Sequence, residues 1–220
     1  MTADSQRERV RDTANRPFGD LPAQVHGLSL RFGLTRLQAR HNSRAILGAY
    51  VLLTSAISIG ILSSLAALTD QPFVFPSLGP TAFLLFYAAM GTQSAPRNVF
   101  CGHLLGVLAG YLALVLFGLT GVGPNLEDVT WPRVGAVTVA LCLTLSLMVW
   151  LKVPHAPAGA TTLIVALGLM RTPGQLFVLM VAVVLMILQG LAINRLAGLP
   201  YPLWAPQPTP DDGPASKNSG

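Results

Sequence analysis

Hydrophobic and polar positions divide the chain into four long apolar runs, residues 45–68, 99–119, 134–151 and 175–194. Two shorter runs, FPSLGPTAFLLF at 75–86 and VPHAPAGATTLIV at 153–165, lie between them. A helix rising 1.5 Å per residue needs about 20 apolar residues to clear a hydrocarbon core of roughly 30 Å. The long runs meet that need and predict four transmembrane helices. The short runs do not, and each carries prolines and a glycine at its start. Residues 79–90 (GPTAFLLFYAAM) overlay 159–170 (GATTLIVALGLM), with Gly, Thr and Met at the same offsets. Paired Gly/Pro-interrupted segments in corresponding halves point to a transporter binding site.

The expected fold is therefore an all-α membrane protein with four full transmembrane helices and two broken half-helix segments. Proline lacks an N–H and suits the first turn of a helix. Pro76, Pro80, Pro154 and Pro157 thus predict extended leads into half-helices beginning near Thr81 and Ala158. About five extended residues and ten helical ones together reach roughly 30 Å. Each short segment can then cross, giving six crossings as a 3+3 inverted repeat. Four crossings with two re-entrant loops is the alternative. Six crossings place Arg31, Arg36, Arg40, Arg44, Arg97, Lys152 and Arg195 on one side, against Arg133 and Arg171. Four crossings give a weaker bias of cationic residues, and the positive-inside rule favours six.

Composition agrees: 52% of the residues are hydrophobic and 10% charged, against roughly 25% charged in soluble domains. Eight of the fourteen basic residues precede the first span. Arg31, Arg36, Arg40 and Arg44 alternate with Leu30, Phe32, Leu34 and Leu37, predicting a basic amphipathic stretch on the inner membrane surface. Residues 1–44 are read as a cytoplasmic N-terminal segment, 45–195 as the transmembrane domain and 196–220 as a C-terminal tail, disordered after about 204. Residues 200–204 (PYPLW) are expected to form an interfacial aromatic anchor. The N-terminus is expected to be cytoplasmic.

Half-helices starting near the bilayer midplane would aim free N–H groups and positive dipole ends at each other, an arrangement that attracts an anion without lysine or arginine. All nine carboxylates lie outside the runs, whereas cation pumps commonly place one within the membrane. The candidate solute-binding residues are Ser77, Gly79, Thr81, His155, Gly159, Thr161 and Thr162. The two glycines would let the ligand approach the backbone, and the hydroxyls would donate. His103, inside a long run, is a candidate proton carrier, or a neutral imidazole bonded across helices. Arg97 is read as a gate at the pore mouth or as a snorkelling anchor.

Gly102, Gly106 and Gly110 permit close helix approach, within the monomer or at a dimer face. Cys101 and Cys142 read as small packing residues, and Gln189 and Asn194 as interhelical glue. No phosphate loop, HExxH helix, CxxC pair or GxSxG elbow occurs, so neither an enzyme nor a metal or other cofactor is expected. The expected partners are the lipid bilayer and a small anion, with a homodimer left open and no nucleic acid.

The blocks PSLGPTA, PRNVFCGH and PHAPAGATTL resemble the signature blocks of the HPP family of integral membrane proteins, over roughly residues 45–195. The family's His-Pro-Pro triplet reads His155-Ala156-Pro157 here, without the middle proline. The resemblance implies a bacterial or organellar membrane protein, with some plastid and cyanobacterial relatives associated with nitrite transport. The resulting expectation is transport of a small inorganic anion, nitrite or nitrate first, with proton coupling open. The alternative is a non-transporting membrane scaffold or regulatory subunit.

Overall fold

The computed structural model describes residues 43–206. Among the described residues are six α-helices and a short 3₁₀ turn at Thr92–Ser94, with no strand. The helices are α1 (Ser43–Thr69), α2 (Leu78–Tyr87), α3 (Pro96–Leu116), α4 (Trp131–Trp150), α5 (Pro157–Ala166) and α6 (Pro173–Leu196). Four of them, α1, α3, α4 and α6, are long and apolar enough to cross a membrane. The basic stretch through Arg31, Arg36 and Arg40 and the tail beyond residue 206 lie outside the described residues.

The long helices begin up to three residues before the predicted runs, because Pro96, Pro132 and Pro173 occupy their first turns, where a missing N–H costs nothing. α3 stops at Leu116, short of the predicted 119. Gly118 takes φ +68°, and Leu119 N–H bonds Leu114 O at 2.7 Å, closing a Schellman end. α2 starts at Leu78 rather than near Thr81, with Pro80 in its first turn, and α5 starts at Pro157. At ten residues each they are about 15 Å long, half a bilayer core.

α3 is the central element, packed against α5, α4 and α6, while α1 lies at the edge against α2 and α6. The glycine stripe of α3 is the reason α5 can sit so deep. A Cβ on Gly102 would fall 2.8 Å from His155 Cβ, and one on Gly110 would fall 2.7 Å from Val165 Cβ. The stripe is thus consumed within the monomer. Cys142 departs from its expected packing role and is exposed on α4.

Two sets of helix ends are tied together. At the first end, Arg97 N–H donates to Trp204 O at 2.9 Å, and its guanidinium to Lys152 O at 3.3 Å. There too, Tyr50 OH donates to Asn194 Oδ1 (2.8 Å), and Asn194 Nδ2 donates to Leu85 O (3.0 Å). This end gathers the early part of α1, the end of α2, the start of α3 and the ends of α4 and α6. At the second end, Arg133 on α4 donates to Ala166 O, Val122 O and Gly123 O, each at 3.1 Å. It joins the α3–α4 connection to the end of α5. The segment after α6 folds back over the first end, where Tyr201 OH donates to Ser94 O. Tyr201 is therefore buried, which an interfacial anchor would not be, while Trp204 is 53% exposed.

Candidate functional site

The N-terminal halves of α2 and α5 meet beside the middle of α3. Six polar side chains there, Ser77, Thr81, His103, His155, Thr161 and Thr162, are at most 1% exposed. A buried polar group costs stability unless it is hydrogen-bonded. Five of the six satisfy one another. Ser77 Oγ lies 2.7 Å from Thr161 Oγ1, which lies 2.7 Å from His103 Nδ1. His103 Nε2 lies 3.1 Å from Thr81 Oγ1 and 3.2 Å from His155 Nε2. His155 Nδ1 lies 2.8 Å from the carbonyl oxygen of Gln93.

The network assigns every proton for two neutral imidazoles. A carbonyl only accepts, so His155 carries its proton on Nδ1 and presents a lone pair at Nε2. Thr81 spends its one proton on Ser77 O at 2.8 Å. His103 must then donate from Nε2, shared between Thr81 Oγ1 and His155 Nε2. Its Nδ1 is consequently an acceptor, supplied by the Thr161 hydroxyl, which in turn accepts from Ser77. The result is a single directed chain from Ser77 to the Gln93 carbonyl.

The remaining candidates lie apart. Thr162 turns to α4, donating to Thr144 Oγ1 at 2.9 Å and contacting Ala158 O at 3.0 Å. Gly79 is exposed, and a Cβ there would meet nothing within 4 Å. Gly159 faces Leu141 at an ordinary 3.6 Å. Arg97 sits at the rim of the first end, about 9 Å of helix from His103, bound to Asn98 and Lys152 O. Asn194 ties α1, α2 and α6, the interhelical role expected of it, while Gln189 Oε1 is buried with no partner among the described residues.

Gln93 is the site residue that sequence reading missed. Its carbonyl fixes the His155 tautomer, and its Oε1 accepts from Ala156 N–H at 2.8 Å, so one residue closes the first end over both His155 and the start of α5. A lone glutamine in a polar turn gives no sequence signal of this.

Three separated sequence blocks thus build one cluster: PSLGPTA supplies Ser77 and Thr81, PRNVFCGH supplies His103, and PHAPAGATTL supplies His155 and Thr161. The family described as HPP, transmembrane region, matches residues 38–202. The chain belongs to the HPP family. A transmembrane protein of Dictyostelium discoideum is 28% identical to this HPP protein over 133 residues, covering 58% of this chain and 44% of the relative. The match spans less than half of that relative's length. No solved structure matches this chain. The altered triplet of this HPP protein has a structural counterpart: the Ala156 N–H that bonds Gln93 is a donor that a proline at this position would lack.

Proposed function

We propose that this HPP protein transports a small inorganic anion, nitrite or nitrate first, bound between the N-terminal turns of α2 and α5. The 2.7 Å contact between Ser77, at the start of α2, and Thr161, in the second turn of α5, carries the reading. Two helix N-termini and three hydroxyls converge where none of the described carboxylates lies: Asp70, Glu127 and Asp128 are all in exposed connections. Such a region holds positive potential without a formal charge. Ser77, Thr81 and Thr161 flank the solute, His103 and His155 exchange protons with it, and Arg97 stands at the mouth. Nitrite ranks first because some members of the family are associated with its transport.

Six crossings as a 3+3 inverted repeat are supported by the tied helix ends. The end of α4 lies at the first end and the end of α5 at the second, so the lead and half-helix together traverse the molecule. α1 and α2 make the converse pair. Arg44, Arg97, Lys152 and Arg195 belong to the first end, which is placed in the cytoplasm of a bacterial inner membrane.

The rival reading, a scaffold or regulatory subunit, draws on the closure of the same cluster, whose hydroxyls and imidazoles are bonded to one another. Thermal unfolding of the purified protein with nitrite, nitrate, chloride or formate separates the two. A ligand at a hundred times its Kd stabilises the folded state by about 2.7 kcal/mol. Nitrite or nitrate is expected to raise the Tm; no effect from any of the four favours the scaffold.

A further inference from the structure

We infer that His103 Nε2, His155 Nε2 and Thr81 Oγ1 form a binding site for one transition-metal ion of the zinc class, with a fourth position left to a ligand from solution. The three atoms stand at the corners of a nearly equilateral triangle. His103 Nε2 is 3.1 Å from Thr81 Oγ1 and 3.2 Å from His155 Nε2, and the last two are 3.3 Å apart. A tetrahedral ion with bonds of about 2.0–2.1 Å holds its ligands about 3.3–3.4 Å from one another. An ion seated a little out of this plane therefore reaches all three.

The donor atoms face inward. The two ring centroids are 4.9 Å apart, closer than two imidazoles aimed head-on across a 3.2 Å gap would be. Each Nε2 also bonds Thr81, so both rings turn towards a common point inside the triangle. Thr81 spends its one proton outward on Ser77 O, which leaves its lone pairs on the inner side. Outside the triangle both Nδ1 atoms are tightly held, at 2.7 Å to Thr161 Oγ1 and at 2.8 Å to the Gln93 carbonyl. Metal-ligating histidines fix their second ring nitrogen in this way, which sets the tautomer and aims the lone pair.

Hydrogen bonding alone leaves the triangle short of protons. The single proton on His103 Nε2 serves two acceptors, and all three edges are longer than the outer bonds. A metal ion takes that proton's place. His103 then carries its proton on Nδ1 and donates to Thr161, whose hydroxyl turns to donate to Ser77 Oγ. The proton lost at Nε2 equals the one gained at Nδ1, so the charge on the protein is unchanged. Among the described residues no three of His, Cys, Asp and Glu come together. The third donor here is a hydroxyl, which no metal-binding sequence pattern would contain.

The three ligand residues are at most 1% exposed and are neutral. A dication so buried requires a counter-charge. No carboxylate bonds to the cluster among the described residues, so the fourth ligand is a small anion from solution, hydroxide or chloride. Entry is from the first end of the molecule, where Gln93, Pro154 and Ala156 are exposed around the buried His155.

Cobalt(II) titration of the tag-free full chain in lipid nanodiscs tests this, with no nitrite or nitrate present, so the outcome is independent of the transport reading. The background carries Cys101→Ser, Cys142→Ser, His26→Gln and His41→Gln, which removes the other thiol and imidazole donors of the chain. One Co²⁺ per chain is expected, with the intense visible absorption of tetrahedral cobalt, lost when Zn²⁺ displaces it. His103→Gln and His155→Gln are each expected to abolish binding. Thr161→Val keeps the three ligands but removes the partner of His103 Nδ1, and is expected to lower Co²⁺ affinity about 10–100-fold at unchanged stoichiometry. X-ray absorption of the Zn²⁺-loaded background chain gives a readout that does not depend on how the His103 and His155 variants fold: two imidazoles per zinc are expected. Absence of binding by both ions, fewer than two imidazoles per zinc, or undiminished Co²⁺ affinity in the two glutamine variants overturns the inference.

Discussion

At Gly106 one added methyl group would fall 2.8 Å from the carbonyl oxygen of Ala158 and 3.0 Å from Thr162 Oγ1. Backbone cannot yield as a flexible side chain can. Gly106→Ala is therefore expected to push α5 off α3 and destabilise the protein by about 1–3 kcal/mol, the usual cost of overpacking. Thermal unfolding measures that loss, and an unchanged Tm would mean that the two helices are not in this contact. Gly79→Ala, where nothing lies within 4 Å, is the matched control and is expected to change the stability by no more than about 0.5 kcal/mol. Ala156→Pro has a less obvious outcome. Ala156 already has φ −53°, which proline tolerates, while the substitution removes the N–H that Gln93 accepts. The entropic gain and the lost hydrogen bond are each about 1 kcal/mol, so a near-neutral Tm is expected. The glycine spacing was legible in the sequence; which helix it faced was not, because a small-residue stripe specifies closeness and no partner.

The two half-helices are held at their outer ends by side chains from the full-length scaffold. Asn194 of α6 and Ser94 accept this task for α2, with Ser94 Oγ donating to Leu84 O at 2.9 Å and Ala88 O at 2.7 Å. Arg133, only 3% exposed, does it for α5 by binding the Ala166 carbonyl and bridging to the α3–α4 connection. A cation suits a helix C-terminus, where the dipole is negative. Arg133→Met leaves three carbonyls without this donor and is expected to cost about 2 kcal/mol or more. Hydrogen exchange over residues 163–168 is expected to accelerate in this variant and to stay unchanged in Arg171→Gln. Equal acceleration in both would show that general charge at this end, and not the clamp, holds α5. From sequence, Arg133 was one of two cationic residues on the outer side. Its burial depends on the 117–130 connection folding over it, which no local pattern encodes.

Across the whole molecule, the arrangement of ends makes a labelling prediction. In a background with Cys101 and Cys142 replaced by serine, single cysteines at Lys152 and Trp204 are expected to react from one face of the membrane. Cysteines at Arg171 and Val122 are expected to react from the other. Reaction of positions 152 and 171 from the same face would make the second break a re-entrant loop. The strap after α6 matters at this scale too: Tyr201 and Trp204 tie it to Ser94 and Arg97, bracing the turn that carries Gln93. Burial drives the Tyr201 phenol upward, away from its ordinary ionisation range, so this tie persists through neutral pH.

Four long apolar runs, two broken ones and their internal likeness were properties of the sequence alone, because hydrophobic length and proline placement act locally against a slab of fixed thickness. The candidate hydroxyls and both histidines were visible for the same reason: polar groups in an apolar run are costly and therefore conspicuous. Their convergence, the turning of Thr162 toward α4, the burial of Arg133 and Tyr201, and the part played by Gln93 were decided only in three dimensions. Each depends on which helices lie side by side, and that follows from the packing of α3's glycine face and from hydrogen bonds between separate elements up to 144 positions apart, which no local pattern along the chain encodes.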